Sequence, residues 1–344
     1  MQFVVLRDET GAVQLTNRRE VRPGLDRQID ALTVGSAVAL TGRVAEVPQV
    51  KLGGIEVLVD SIDTPKLMGA ASESGAEVFR VDYFGSSACL AQSPQFHKQM
   101  AIAAGFDRVM EVGPVFRAEP SFTSRHSTEF TGLDLEMAWI DSVDDVMRME
   151  EEMLAHAIAA VRDSFGHQFE EVFGADLVIP AMPFPRITLV EARKQLLRAG
   201  WRPADRSTED LDGEGERMLS NLVAEKFGHQ FVFVTDDPVS VRPFYHMRPA
   251  DDPTVTSSFD LIWNGLEVTT GAQREHRYEV LVAQAAEKGI ALEPIRHYVD
   301  CFRFGCPPHG GLGIGINRLL MKLLDLPSIR EASLFFRGPN RLTP

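Results

Sequence analysis

Between residues 116 and 136 the chain reads FRAEPSFTSRHSTEFTGLDLE, which gathers two arginines, one histidine and four carboxylates with few apolar runs. Phe116 and Phe130 stand near its two ends. A solvated hairpin tolerates that composition, whereas a site for a polyanion joined to a purine ring requires it. Arg117 and Glu119 alternate, so on a strand both side chains point to one face. An arginine there clamps a phosphate or carboxylate through paired N–H donors. Glu119 can accept from an exocyclic amine, and Phe130 on the returning strand can stack on a purine. Arg125 and His126, in the loop between, can reach further phosphates. The set suits ATP.

A second group lies in FDLIWNGLEVTTGAQR, residues 259–274. Asp260 and Glu267 are seven apart on a strand-turn-strand, a spacing that lets two carboxylates meet at a nucleotide-bound Mg²⁺. Arg274 follows, placed for an anionic substrate; a surface hairpin with incidental acids is the competing reading of this segment alone. The third group is GGLGIGINRLL, where Gly310, Gly311, Gly313 and Gly315 let a backbone approach a ligand and Arg318 opens the next helix. It does not meet the G-x-G-x-x-G spacing of a dinucleotide fingerprint.

These three segments must be positioned by other elements. QFVVLRD, AVQLT, SAVALTGRVAEV and GIEVLVDSI alternate like strands, with a polar helix around GLDRQIDAL. That is most of a small Greek-key barrel of the OB type over residues 1–62. SPQFHKQMAIAAGF has helical spacing, with Ser93 as N-cap and Pro94 at the first helical position. VMEVGPVFRAE and TGLDLEMAWID form a long hairpin with a charged loop. Residues 142–165, ITLVEARKQLLRAG, 209–227, EHRYEVLVAQAAEKG and INRLLMKLLDL read as helices; FVFVTD and SSFDLIWNGLEVTTG read as strands. Helices without a repeating βα rhythm predict an α+β domain over 63–344, an antiparallel sheet with helices packed on it.

Composition bounds the partners. The chain has 344 residues, 44% hydrophobic and 24% charged, with net charge −14. A generic nucleic-acid binder is basic throughout. Residues 1–60 are nearly balanced, with seven Lys/Arg against eight Asp/Glu, and Arg18, Arg19, Arg22 and Arg27 offer a local RNA patch or a solvated face. No run approaches a membrane span, and MQFVVLRDETG becomes charged too early for a signal peptide. Cys89, Cys301 and Cys306 are an odd, sparse set suited to a reducing cytoplasm. Cys301, Cys306 and His309 do not make a four-ligand zinc pattern.

FRAE…TSRHSTEF and GLGIGINR resemble the second and third motifs of the class II aminoacyl-tRNA synthetases. QSPQFHKQ, TGLDLEM, RPFYHM, SFDL and GAQREHRY are similar to aspartyl-tRNA synthetases of the archaeal and eukaryotic type. The resemblance implies a catalytic antiparallel sheet, an N-terminal OB anticodon-binding barrel and a homodimer. It implies conversion of L-aspartate and ATP, with Mg²⁺, to aspartyl-adenylate, then transfer to tRNA(Asp). Residue by residue, it puts Gln95 and Lys98 on aspartate, Arg274 on its side-chain carboxylate and Glu73 in the loop that closes over it. Arg117 bridges the α-phosphate and the substrate carboxylate. Glu119, Arg125, His126, Phe130 and Gly315 match nucleotide positions, and Arg318 matches the arginine on the far phosphate. Asp260 and Glu267 match Mg²⁺ ligands, together with Thr270, which stands where serine is usual and also borders aspartate. Lys98 favours aspartate over asparagine, and FRAEPSFTSRH is similar to versions that charge both tRNA(Asp) and tRNA(Asn).

Departures from the family pattern are mild within the motifs: SESGAE in the aspartate loop, Asn317 before Arg318, and FFR at 335–337. A larger one lies between VDSI and DTPKL, where the family carries most of its first motif and much of its dimer interface; here only TPKL remains. The first OB strand is likewise expected before Met1. A paralogue that passes aspartyl-adenylate to a non-tRNA acceptor, and a non-catalytic RNA-binding relative, stay open beside the ligase reading.

Overall fold

In this computed structural model, residues 2–8, 11–17, 41–46 and 55–61 are described as backbone strands. Residues 65–69, 71, 77–174, 177–205 and 207–343 are described in full. The four N-terminal strands, β1 (Gln2–Asp8), β2 (Gly11–Asn17), β3 (Thr41–Glu46) and β4 (Ile55–Ser61), form a sheet in the order β1-β2-β4-β3. β2 and β4 run parallel and the other pairs antiparallel. The helix expected around GLDRQIDAL and the loop carrying Glu73 lie outside the described residues.

A small sheet, β5 (Leu67–Met68), β6 (Arg80–Tyr83) and β7 (Ser86–Leu90), precedes α1 (Gln95–Ala103). The N-cap of α1 falls on Pro94 rather than on Ser93. Lys98 N–H already donates to Pro94 O, so the helix begins one residue later than the sequence suggests, while Ser93 Oγ accepts from Gln95 N–H at 3.2 Å.

The hairpin is β8 (Arg108–Phe116) and β9 (Glu129–Ala138). β8 stops before Arg117, so Arg117 and Glu119 do not share a strand as their alternation predicts. Arg117 N–H keeps one rung to Thr128 O, but Ala118 N–H turns to Glu77 O, and Pro120 has no N–H to continue the ladder. α2 (Val143–Phe173) follows and ends eight residues beyond its amphipathic pattern; Ser142 and Asp145 form a capping box and Gly174 ends it in the left-handed region. β10 (Arg186–Thr188), α3 (Leu189–Arg198), α4 (Gly213–Phe227), β11 (Phe231–Thr235), β12 (Ser258–Trp263) and β13 (Leu266–Arg274) come next. α4 begins four residues later than expected because Asp212 caps it, accepting from Gly215 N–H. α5 (Tyr278–Glu287), short helical turns over Glu293–Phe302, β14 (His309–Gly315) and α6 (Ile316–Leu323) follow.

The main sheet has seven strands in the order β10-β11-β12-β13-β14-β9-β8, antiparallel except for β10 with β11. β11 shows why both faces are covered. Phe231 and Phe233 pack with Val146, Met147 and Leu154 of α2, while Val232 and Val234 pack with Leu189, Leu196 and Leu219 of α3 and α4. Successive strand residues face opposite ways, so a fully apolar strand needs helices on both sides. Among the described residues no helix is long and apolar enough to cross a membrane.

Glu150, in α2, is fully buried. Burial pushes its carboxyl up to about 8, reinforced by the neighbouring Glu151. The unfolded chain loses this proton near 4.5, so stability falls as pH rises from there towards 8. Glu150→Gln is therefore expected to gain stability over the parent between pH 5 and pH 8, by at least about 1.4 kcal/mol, one pKa unit's worth. Urea melts at both pH values check this; an equal gap at the two overturns it.

Candidate active site

On β9, Phe130, Gly132, Asp134 and Glu136 alternate with Leu133 and Leu135, which pack on the α2 core. The first set therefore faces away from α2, and Phe130, Gly132 and Asp134 line a cavity of about 440 Å³. Its lining brings together Arg117, Glu119, Arg125, His126, Phe130, Glu267, Thr270, Arg274, Gly315 and Arg318, with Gln95 at the helical edge. Ten residues from three distant sequence groups thus share one space with α1. Lys98 and Asp260 are not part of the lining.

The phosphate side is rich in arginine. Arg117 lies with its guanidinium carbon 5.7 Å from the centroid of the Phe130 ring, within cation–π range. Arg318 donates from Nη1 to Glu267 O at 3.1 Å and Oε1 at 3.3 Å, and from Nε to Arg125 O at 3.3 Å. Arg125 Nη1 donates to both oxygens of the buried Glu216, at 2.8 and 2.7 Å. His126 is held at about 4 by burial first and then by Arg318 and Arg125, so its ring is neutral at physiological pH. It offers a neutral donor or acceptor.

Burial pushes the Glu267 carboxyl up, but Arg318, Arg242, Arg125 and Arg117 outweigh it and hold the group below the usual range. Glu267 thus stays ionised, and Thr270 Oγ1 lies 3.4 Å from its Oε1. These oxygen donors suit a hard cation such as Mg²⁺. Asp260 is placed differently. It pairs with Arg242, which also binds Asp237 at 2.9 Å, and carboxylate oxygens of Asp210, Asp237 and Asp260 lie within 4.8 Å of one another. Its Oδ1 makes no hydrogen bond among the described residues, leaving one oxygen able to face an ion.

The opposite end is a buried ionic network. Arg274, 3% exposed, donates from Nε to Glu136 Oε1 at 2.9 Å, from Nη2 to Gly311 O at 2.9 Å and from Nη1 to His246 Nε2 at 3.1 Å. His246 accepts because it is neutral: burial, then the nearby Arg274, push its pKa well down. Lys98 Nζ donates to Asp134 Oδ1 and Leu312 O, both at 2.9 Å, reaches Leu135 O at 3.4 Å, and lies 3.4 Å from Glu136 Oε2. An ammonium has three protons, so Lys98 acts here on Asp134 and Glu136, and Asp134 lines the cavity. Gln95 Nε2 is buried without a hydrogen bond among the described residues, a donor suited to a bound carboxylate.

Gly311 is required by this packing. A Cβ there would collide with Leu135 O and the Glu136 carboxylate. Of the four glycines expected to approach a ligand, Gly313 and Gly315 line the cavity. At Gly310 a Cβ would meet Ala272 O and Ile140, so that glycine serves strand and core packing.

Sequence reasoning missed Asp134, Glu136, Glu216, Arg242 and His246. The first two had a signal, since they continue the Phe130–Gly132 alternation on β9. Arg242 and His246 lie in RPFYHM, a segment that carries the resemblance, whereas no local pattern marks Glu216.

The seven-stranded, largely antiparallel sheet carries this arginine-rich cavity on one face, with glycine-rich β14 beside it. Residues 59–338 match the family of class II tRNA synthetases (D, K and N), and the chain belongs to it. It is 46% identical over 284 residues to the aspartate–tRNA(Asp/Asn) ligase of Aeropyrum pernix, covering 82% of this chain and 64% of that protein. It is 42% identical over 287 residues to the aspartate–tRNA(Asp) ligase of Thermococcus kodakarensis, with 82% and 64% covered. The chain thus spans less than two thirds of the length of these relatives. Among solved structures, asparaginyl-tRNA synthetase from Pyrococcus horikoshii complexed with asparaginyl-adenylate superposes with a TM-score of 0.74 at 29% identity, over 99% of this chain and 92% of that one.

Proposed function

We propose that this chain carries aspartate–tRNA ligase activity, making aspartyl-adenylate from L-aspartate and ATP and passing the aspartyl group to tRNA. The observation that carries the reading is one cavity that joins an arginine-lined end to Arg274, behind which Glu136 and Lys98 are buried. The substrate carboxylate attacks the α-phosphorus and pyrophosphate leaves, so no protein nucleophile is needed. Arg117 bridges the two reacting groups, Phe130 stacks on adenine, and Glu119 accepts from its amine. Arg274 receives the side-chain carboxylate, and Gln95 adds a donor. Mg²⁺, when bound, neutralises phosphate charge; Glu267 and Thr270 would hold it, with Asp260 behind them. Residues 1–62 supply an OB-type anticodon module, residues 63–344 the catalytic domain, and the enzyme works as a cytoplasmic homodimer.

ATP–pyrophosphate exchange tests the reading: aspartate is expected to support it and asparagine is not. Equal exchange with both overturns the aspartate assignment. Charging transcripts with labelled aspartate extends the test to tRNA choice. Both tRNA(Asp) and tRNA(Asn) are expected to accept, as the 46% identity to a dual-named relative supports. A preference above about a hundredfold, the scale of a fully used base contact, overturns dual charging.

A further inference from the structure

Four residues from four elements close a ring beside the cavity. Arg125, in the loop between β8 and β9, donates from Nη1 to both oxygens of Glu216 on α4. Glu216 Oε2 also accepts from the backbone N–H of Glu267 on β13, at 3.0 Å. Glu267 accepts from Arg318 on α6, and Arg318 returns to Arg125 O. Arg125, Glu267 and Arg318 line the cavity; Glu216 does not.

The first turn of α4 is built to hold Glu216 in place. Asp212 caps the helix and accepts from Trp201 Nε1 at 3.0 Å, while a Cβ on Gly215 would meet the Trp201 ring at 3.1 Å. Glu216 is 4% exposed. It occupies one nitrogen of Arg125; Nη2 and Nε make no hydrogen bond among the described residues and remain for a ligand. A loop arginine on a flexible stem gains a defined direction this way, so less ordering is left for the moment of binding.

We propose that Glu216 is a positioning residue for the outer phosphates of ATP, aiming Arg125 at them and fixing the backbone of Glu267. This rests on the ATP-dependent reading above and adds a residue outside the cavity to it. Glu216 itself touches no nucleotide. Its loss should therefore weaken groups beyond the α-phosphate and spare the rest.

The test measures equilibrium binding of Mg·ATP and of AMP to the full chain, with no turnover required. Glu216→Gln and Arg125→Ala are each expected to weaken Mg·ATP about tenfold, the scale of one charge-assisted contact. The double variant should be no weaker than the worse single one, since both remove the same contact. AMP affinity should stay within about twofold for all three. Unchanged Mg·ATP affinity in Glu216→Gln, additive losses, or an equal fall for AMP would each overturn the proposal. A loss of helical circular dichroism in Glu216→Gln would assign the residue to folding instead and also count against it. Failure of the parent chain to bind Mg·ATP sinks the ATP reading itself, and this proposal with it.

Discussion

Arg117→Ala is expected to lower the turnover of aspartate-dependent ATP–pyrophosphate exchange by roughly 10²–10³-fold, the range seen when one donor to a developing charge is removed. Arg117 is pinned where such a donor belongs. The backbone on either side is tied by Phe116 N–H to Ala91 O, Arg117 N–H to Thr128 O and Ala118 N–H to Glu77 O. Its guanidinium lies over Phe130, beside the proposed adenine position. Charge moves onto the leaving pyrophosphate during the displacement, so an arginine at the reacting centre gains more in the transition state than in the ground state. Arg318→Ala should behave differently. That side chain binds Glu267 and the Arg125 carbonyl, at the nucleotide's tail, so its loss should raise the Michaelis constant for ATP more than it lowers turnover. Steady-state exchange at varied ATP separates the two. If Arg117→Ala changes only the Michaelis constant, the role assigned to it is wrong.

Glu136→Ala is expected to cost about 3–5 kcal/mol of stability, the usual result of stripping one partner from a buried ionic group. Glu136 is 1% exposed and is the shared counter-ion of Arg274 and Lys98. Without it two cations face each other in a space closed by Gly311. Burial pushes the Glu136 carboxyl up, yet Arg274, then Lys98 and His309, outweigh it and hold it below the normal carboxylate range. A depressed carboxylate contributes fully above the unfolded value of 4.5 and loses that contribution as pH falls through the lower folded value. The parent should therefore lose stability steeply below pH 4.5, and Glu136→Ala should lose less over the same range. Urea titrations at pH 7 and below 4.5 measure both effects. A cost under about 1 kcal/mol at pH 7 would mean that Lys98 and Arg274 find other partners.

Much of the site was legible because its signals are local. Arg117, Glu119, Arg125, His126 and Phe130 fall within one hairpin, and β9 carries its binding face in a two-residue alternation visible in FTGLDLE. The Gly-Ile-Asn-Arg run into α6 marks an element end in the same way. The end of β8 was misjudged because alternation alone cannot register a backbone rung that leaves for Glu77.

What only the tertiary structure decided is which charges cancel which. Arg125 and Glu216 are 91 residues apart, Arg274 and Glu136 are 138 apart, and Lys98 meets the Leu312 carbonyl 214 residues away. The family resemblance puts Lys98 on the substrate, and the seven-residue spacing to Glu267 puts Asp260 at a metal. The fold surrounds Lys98 with four acceptors and sets Arg242 against Asp260. Residue type and spacing determine what chemistry a side chain can offer, because that depends on its own atoms and its nearest turns of chain. Which proton goes to which acceptor depends on burial, where an ion must find a counter-charge or stay costly, and burial is a property of strands and helices brought together from across the chain.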